Sequence, residues 1–262
     1  MLKFIHLTDT HLVRPGQALY GSDPARRLAQ AVHSIESEHA DAAFVIITGD
    51  LAHWGEPEAY VQLRSELAAL RRPVHLLIGN HDDRPNLRAA FAQLPLDAQG
   101  HVQYAFSAGG MRHIALDTHE PGVSHGVFCA RRAAWLADEL ARAGPEPVHL
   151  YMHHPPFGVG IPAMDRIALI DPGPLLETLA RHAGRVRHLF FGHLHRPMAG
   201  SWRGIGFSSV RGTNHQVALR LDDTGRVAGC AEPPQYAVVL ADGEGTRVHL
   251  HDFADRSERF PL

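Results

Sequence analysis

Five short apolar runs constrain how this chain can fold: Leu2 to Leu7, Ala43 to Ile47, Val74 to Ile78, Val148 to Met152 and Val186 to Phe191. Each has the length of a buried strand, and each stops abruptly at polar residues. Between them lie stretches of helical periodicity, roughly Pro24 to Glu38, Pro57 to Leu70, Arg131 to Ala143 and Pro172 to His182, several opened by a proline suited to a first helical turn. Strand alternating with helix predicts βαβ units and an α/β class. Tyr104 to Ser107 and His113 to Leu116 flank Gly109-Gly110, which signals a hairpin. After about residue 198 the helical pattern vanishes, and Gly206 to Val210, Gln216 to Leu221, Tyr236 to Leu240 and Arg247 to His251 alternate with turns. This all-β tail, residues 198–262, is expected to pack on a catalytic body of residues 1–197 or on a partner subunit.

The residues that close each run carry the chemistry. They are Asp9-Thr10-His11, Gly49-Asp50, Gly79-Asn80-His81-Asp82, His153-His154-Pro155-Pro156 and Gly192-His193-Leu194-His195. Open α/β sheets place their ligands at such strand ends. Asp9 and His11, two apart on an extended segment, should face the same way, and a carboxylate and an imidazole can share one cation. His193 and His195 repeat the spacing, and an unpaired buried imidazole is a costly core filler. Taken singly, some of these have plainer uses: Asp50 as a helix N-cap, Gly79-Asn80 as a turn. Taken together, five runs deliver metal-competent groups at the same end. Carboxylate, imidazole and amide oxygen without thiolate suit Mn, Fe or Zn in an open catalytic site rather than a closed structural zinc.

Composition narrows the partner. With 25 basic and 28 acidic side chains there is no electrostatic footprint for a nucleic-acid polymer, so a small substrate is expected. The opening MLKFIHLTDTH has no secretory pattern and no run approaches membrane-spanning length, so no membrane partner is expected. Cys129 and Cys230 are too few for a disulfide framework, which favours a cytoplasmic location. The 21 histidines invite metal binding without locating it.

The order Asp9-x-His11, Gly49-Asp50, Gly79-Asn80-His81-Asp82, His153 and Gly192-His193-x-His195 resembles the calcineurin-like metallophosphoesterase superfamily over about residues 4 to 197. The stretch MHHPPFGVGIPAMDRIAL and the later TNHQVAL are similar to bacterial class III cyclic-nucleotide and glycerophosphodiester phosphodiesterases. The resemblance implies a four-layer α-β-β-α sandwich with a C-terminal β element, part core sheet and part cap, that contributes to homodimerisation. It implies that Asp9, His11 and His195 hold one divalent ion, that Asn80, His153 and His193 hold a second, and that Asp50 bridges them. The two ions would be Mn, Fe, Zn or Co. It assigns His81 to the substrate phosphate and His215, in Thr213-Asn214-His215, to the substrate side.

The implied activity is hydrolysis of a small phosphodiester, either a cyclic nucleotide (2′,3′ or 3′,5′) or a glycerophosphodiester. Two ions can hold a bridging hydroxide and stabilise an in-line displacement without a protein nucleophile. The sequence accordingly contains neither a G-x-S-x-G elbow nor a P-loop. Asp82 is expected to hydrogen-bond His81 or a ligand, and His154 to be structural. Arg26-Arg27 either reach an anionic substrate or, as is commoner on a helical segment, are solvated, and Trp54 is expected to pack, with its closeness to Asp50 offering a place in the pocket as the alternative. The competing readings are a phosphomonoesterase, phosphoprotein phosphatase or nuclease on the same scaffold, and a non-catalytic binding module, which would be expected to have lost ligands.

Overall fold

A computed structural model describes residues 1–223 and 225–261. In chain order the first half contains β1 (Leu2–Leu7), α1 (Pro24–Glu38), β2 (Val45–Thr48), α2 (Pro57–Leu67), β3 (Val74–Leu77), α3 (Arg84–Ala90), β4 (Tyr104–Ala108) and β5 (Met111–Ala115). The second half contains α4 (Ala130–Arg142), β6 (Val148–Met152), α5 (Pro162–Asp165), α6 (Gly173–Arg181), β7 (Val186–Phe191), β8 (Met198–Trp202) and β9 (Ile205–Ser209), then β10 (Gln216–Val217), β11 (Gly229–Cys230), β12 (Tyr236–Ala241) and β13 (Thr246–His251). Two helix starts follow their capping chemistry. Pro24 opens α1 behind Asp23, whose carboxylate accepts from the Arg26 N–H, and Asp83 caps α3 through the Asn86 N–H.

The strands separate into two sheets of order β13-β12-β1-β2-β3 and β4-β5-β6-β7-β9-β8, with β10-β11 a small pair apart. Leu28, Val32 and Ile35 of α1 and Leu63 of α2 pack on the first sheet, while Leu136 and Leu140 of α4 and Leu175 and Leu179 of α6 cover the second. The result is the four-layer α-β-β-α arrangement. The parallel run breaks at the Gly109-Gly110 hairpin between β4 and β5, so the five apolar strands are shared between two sheets. The tail contributes strands to both sheets: β8 and β9 extend the second, and β12 pairs with β1 from Leu2↔Ala241 to His6↔Ala237. Only Gln216 and Val217 of the run from Gln216 to Leu221 are strand. Among the described residues no helix is long and apolar enough to cross a membrane.

Aromatic and imidazole rings fill the layer between the sheets. Phe4 stacks on Phe44 at 4.7 Å and meets the rings of His113, His149, Tyr151 and Phe190 across the interface. Four buried histidines each spend one nitrogen on a hydroxyl: His6 on Thr48 at 2.9 Å, His113 on Tyr151 at 2.8 Å, His149 on Thr246 at 2.8 Å and His188 on Ser208 at 2.9 Å. Burial disfavours their charged form, lowering His6 to about 3, His113 and His188 to about 4, and His149 well below the ordinary value.

These folded-state values lie below the unfolded histidine value of about 6.5. The stability that the neutral histidines contribute is therefore complete above about pH 6.5 and is lost as pH falls toward 4. Urea midpoints should hold level from pH 7.5 to about 6.5 and fall from there to pH 5, and His188→Gln, which cannot be protonated there, should show a shallower fall. A variant with the parent's slope would count against this origin of acid sensitivity.

Candidate active site

The seven predicted ligands sit past the strand ends, five of them on backbone that L-residues seldom adopt. Asp9, His11, Asp50, His193 and His195 have φ of 54°, 45°, 49°, 68° and 48°. Each such residue costs about 1–2 kcal/mol relative to right-handed backbone, and in folded proteins that strain concentrates at functional sites. Here lies a correction: Asp9 and His11 converge because both occupy left-handed turns beyond β1, not because side chains alternate along an extended strand. Backbone bonds between neighbouring loops hold the turns in place: Asp9 N–H to Gly49 C=O at 3.1 Å, His11 N–H to Asp50 C=O at 2.9 Å, and Gly192 N–H to His153 C=O at 3.1 Å.

Two knots of facing atoms result. In one, His11 Nε2 lies 3.0 Å from His195 Nε2 and 3.5 Å from Asp50 Oδ2, and His195 Nε2 lies 3.5 Å from Asp9 Oδ1. In the other, His153 Nε2 lies 3.1 Å from Asn80 Oδ1, 3.3 Å from His193 Nδ1 and 3.4 Å from Asp50 Oδ1. The two Asp50 oxygens thus face different knots. His153 Nδ1 donates to Thr48 C=O at 2.8 Å and His195 Nδ1 to His215 C=O at 2.7 Å. Those bonds place hydrogen on Nδ1 and leave the Nε2 lone pairs aimed at other acceptors. Lone pairs and carboxylates pointed at one another in a buried site call for positive charge between them, which a divalent ion would provide.

Titration follows the same logic. Burial alone would raise Asp50, but His153 and His81 beside it hold its carboxyl well below the usual range. Burial alone would lower His153, yet Asp50 and Asp9 raise it to about 9. Asp9 is raised, chiefly by burial. Two carboxylates thus draw positive charge to the place between the knots where a cation would sit.

His81 donates its backbone N–H to Asp50 Oδ1 at 2.9 Å and its ring Nδ1 to His53 C=O at 2.9 Å, which turns Nε2 outward. The ring of His215 lies 4.5 Å from that of His195 and 4.8 Å from that of His11. Both histidines line a cavity of about 700 Å³, with Tyr20, Met164, Ile167 and Val217 among its less polar walls. All nine predicted site residues therefore lie at this one end of the sandwich.

The neighbours divide differently from expectation. Asp82 reaches neither His81 nor a ligand side chain; it accepts from the Leu51, Ala52 and Gly79 N–H groups and from the Tyr60 hydroxyl, tying the Asp50 turn to the Asn80 turn. His154 uses both nitrogens on Thr118 and Ser124, yet its ring does not point away from His153: it lies 4.8 Å from that of His153 and 4.7 Å from that of His193. Trp54 is 64% exposed and packs edge-on against His53, outside the cavity wall. Arg27 lines the cavity, whereas Arg26 is exposed. His53 itself was missed; the available signal was a histidine three residues after Asp50 in the same post-strand turn. Gly79 and Gly192 allow the strand ends to close up. A Cβ at Gly79 would strike the Asp50 carboxylate and backbone and come within 2.8 Å of His153 Cε1, and one at Gly192 would strike Thr8 Oγ1.

Residues 2–197 match the model of the calcineurin-like phosphoesterase family. A probable cyclic nucleotide phosphodiesterase of Rhodopseudomonas palustris is 46% identical over 264 aligned positions, spanning 100% of this chain and 96% of that protein. A glycerophosphodiester phosphodiesterase of Enterobacter lignolyticus is 33% identical over 95% of this chain and 90% of its own length. Among solved structures, a dimetal phosphatase from Danio rerio superposes with a TM-score of 0.69 at 16% identity, over 97% of this chain and 99% of that one, a likeness of fold. With the family's blocks in order and their side chains gathered at one end of its sandwich, this chain belongs to the calcineurin-like phosphoesterase family.

Proposed function

We propose that this chain hydrolyses small phosphodiesters, cyclic nucleotides or glycerophosphodiesters, at a binuclear centre of Mn, Fe, Zn or Co. The observation that carries the reading is the pair of knots on either side of Asp50, whose acceptor atoms face one another. Asp9, His11 and His195 would hold one ion, Asn80, His153 and His193 the other, with Asp50 between them. The names of the Rhodopseudomonas and Enterobacter relatives support a diester rather than a monoester substrate.

When bound, the ions supply Lewis acidity toward the phosphoryl oxygens and acidify the attacking water. The chain's own residues do the rest. His81, its Nδ1–H held by the His53 carbonyl, presents Nε2 to a phosphoryl oxygen or to the departing alkoxide. His215 borders the cavity from the tail and contacts the substrate there. Asp82 keeps the Asp50 and Asn80 turns in register. Val217, Gly229 and Cys230 of the β10-β11 pair wall the cavity, and this pair acts as the cap. Leu219, Leu221 and Val227 are exposed in the same segment and support a homodimer contact there. A cytoplasmic location is supported by Cys129 and Cys230, both free thiols.

Loaded with Mn, Fe, Zn or Co, the protein should bind about two ions per chain and turn over bis(p-nitrophenyl) phosphate. Asn80→Ala and His193→Ala should abolish that activity, and an unimpaired variant would rule out the assigned centre. Across cyclic nucleotides, glycerophosphodiesters and simple monoesters, the highest kcat/KM should belong to a diester; a preferred monoester would sink the substrate class. Gly79→Ala should push Asp50 aside and cut activity by about 100-fold, the scale of an ångström's misplacement, with the loss appearing as weaker metal retention on dialysis.

A further inference from the structure

We propose that His53 is a positioning residue that sets two functional side chains at once, fixing the aim of His11 and holding the ring of His81. The inference rests on the reading of His11 as a metal ligand and His81 as a substrate contact. His11 Nε2 is committed toward Asp50 and His195, so the hydrogen of its neutral ring belongs on Nδ1. That Nδ1 lies 2.9 Å from His53 Nδ1, which must then be the acceptor and carry its own hydrogen on Nε2. A ligating imidazole ordinarily donates its second nitrogen to a carboxylate, carbonyl or water, which fixes ring orientation and raises basicity. Here another imidazole takes that place.

His53 is 3% exposed, and its ring is held on several sides. It stacks on His81 with ring centroids 4.7 Å apart and planes 20° from parallel, and Trp54 closes against it at 4.1 Å. Its own backbone carbonyl receives the His81 Nδ1–H. Its N–H in turn donates to Leu12 C=O at 2.8 Å, which anchors the segment after Asp50 to the segment after His11. Rotation of His53 would free both the His11 ring and the face on which His81 rests.

Two substitutions separate the two contacts. Asn places an amide oxygen near the former Nδ1 and keeps the acceptor, but removes the stacking ring. Phe keeps a ring and removes the acceptor. Co(II) titration of the metal-free protein, followed by visible absorption, reads the first contact, and KM for bis(p-nitrophenyl) phosphate at saturating Co(II) reads the second. His53→Phe should bind Co(II) about 10- to 100-fold more weakly and keep its KM. His53→Asn should keep the parent's Co(II) affinity and spectrum but show a raised KM.

Parent-like Co(II) affinity in His53→Phe, or an equal loss in both variants, would overturn the role on His11. An unchanged KM in His53→Asn would overturn the role on His81. Thermal melts of the metal-free variants check folding; if Phe is not accommodated, His53→Ala replaces it, with the same loss of Co(II) affinity expected and parent-like affinity refuting. A parent protein that binds no Co(II) would be a different failure, that of the binuclear reading itself.

Discussion

The structure turns on acceptors held face to face. His11 and His195 direct Nε2 lone pairs at each other across 3.0 Å, with Asp9 and Asp50 within reach of them, all four side chains buried at the foot of the cavity. Nothing intrinsic to the side chains favours this: buried like charges and opposed lone pairs are unfavourable, and the left-handed turns that create them add strain of their own. The arrangement persists because the surrounding framework determines it more strongly than the site opposes it. Parallel strands fix where each turn begins, bonds such as Asp9 N–H to Gly49 C=O lock turn to turn, and the Asp82 carboxylate gathers three backbone N–H groups from two of them.

Because the candidate ligands come from both sheets, the site is also a measure of how the sheets are packed. β1, β2 and β3 carry Asp9, His11, Asp50 and Asn80, while β6 and β7 carry His153, His193 and His195. The register between these sets depends on the ring layer around Phe4, and on β12, which pairs with β1 from the far end of the chain. A shift of one sheet by a fraction of a residue would separate His153 from Asp50. Glycine at 79 and 192 is part of the same requirement, since the strand ends approach more closely than a methyl group permits.

Much of this was legible because burial and punctuation are local. β1, β6, β7 and α1 coincide with the runs and periodicities that mark them, and the Gly109-Gly110 hairpin falls where its glycines require. The polar residues closing each run gathered as their types suggested, although the reason Asp9 and His11 face together lies in turn conformation that side-chain periodicity cannot express. Long-range pairing was not legible: nothing local in Tyr236 to Leu240 says that it lies beside residues 2–6, or that β8 forms at an edge. His53 escaped for a related reason. Its partners, His11 and His81, are distant in sequence, and a lone histidine before Trp54 gives no sign of them.

The abundance of histidine acquires two distinct explanations from the geometry. Between the sheets, His6, His113, His149 and His188 act as neutral rings, each tied to one hydroxyl and otherwise packed like an aromatic residue. At the strand ends, His153 and His195 donate instead to backbone carbonyls, whose rigidity sets the direction of the remaining lone pair. For these six histidines the partner of the second nitrogen separates the two groups better than burial does, since both are buried. A hydroxyl can rotate to donate or accept and so leaves the tautomer free, whereas a carbonyl can only accept and so commits the opposite nitrogen to binding something positive. The side chain is the same in both places, and its role follows from what faces its other nitrogen.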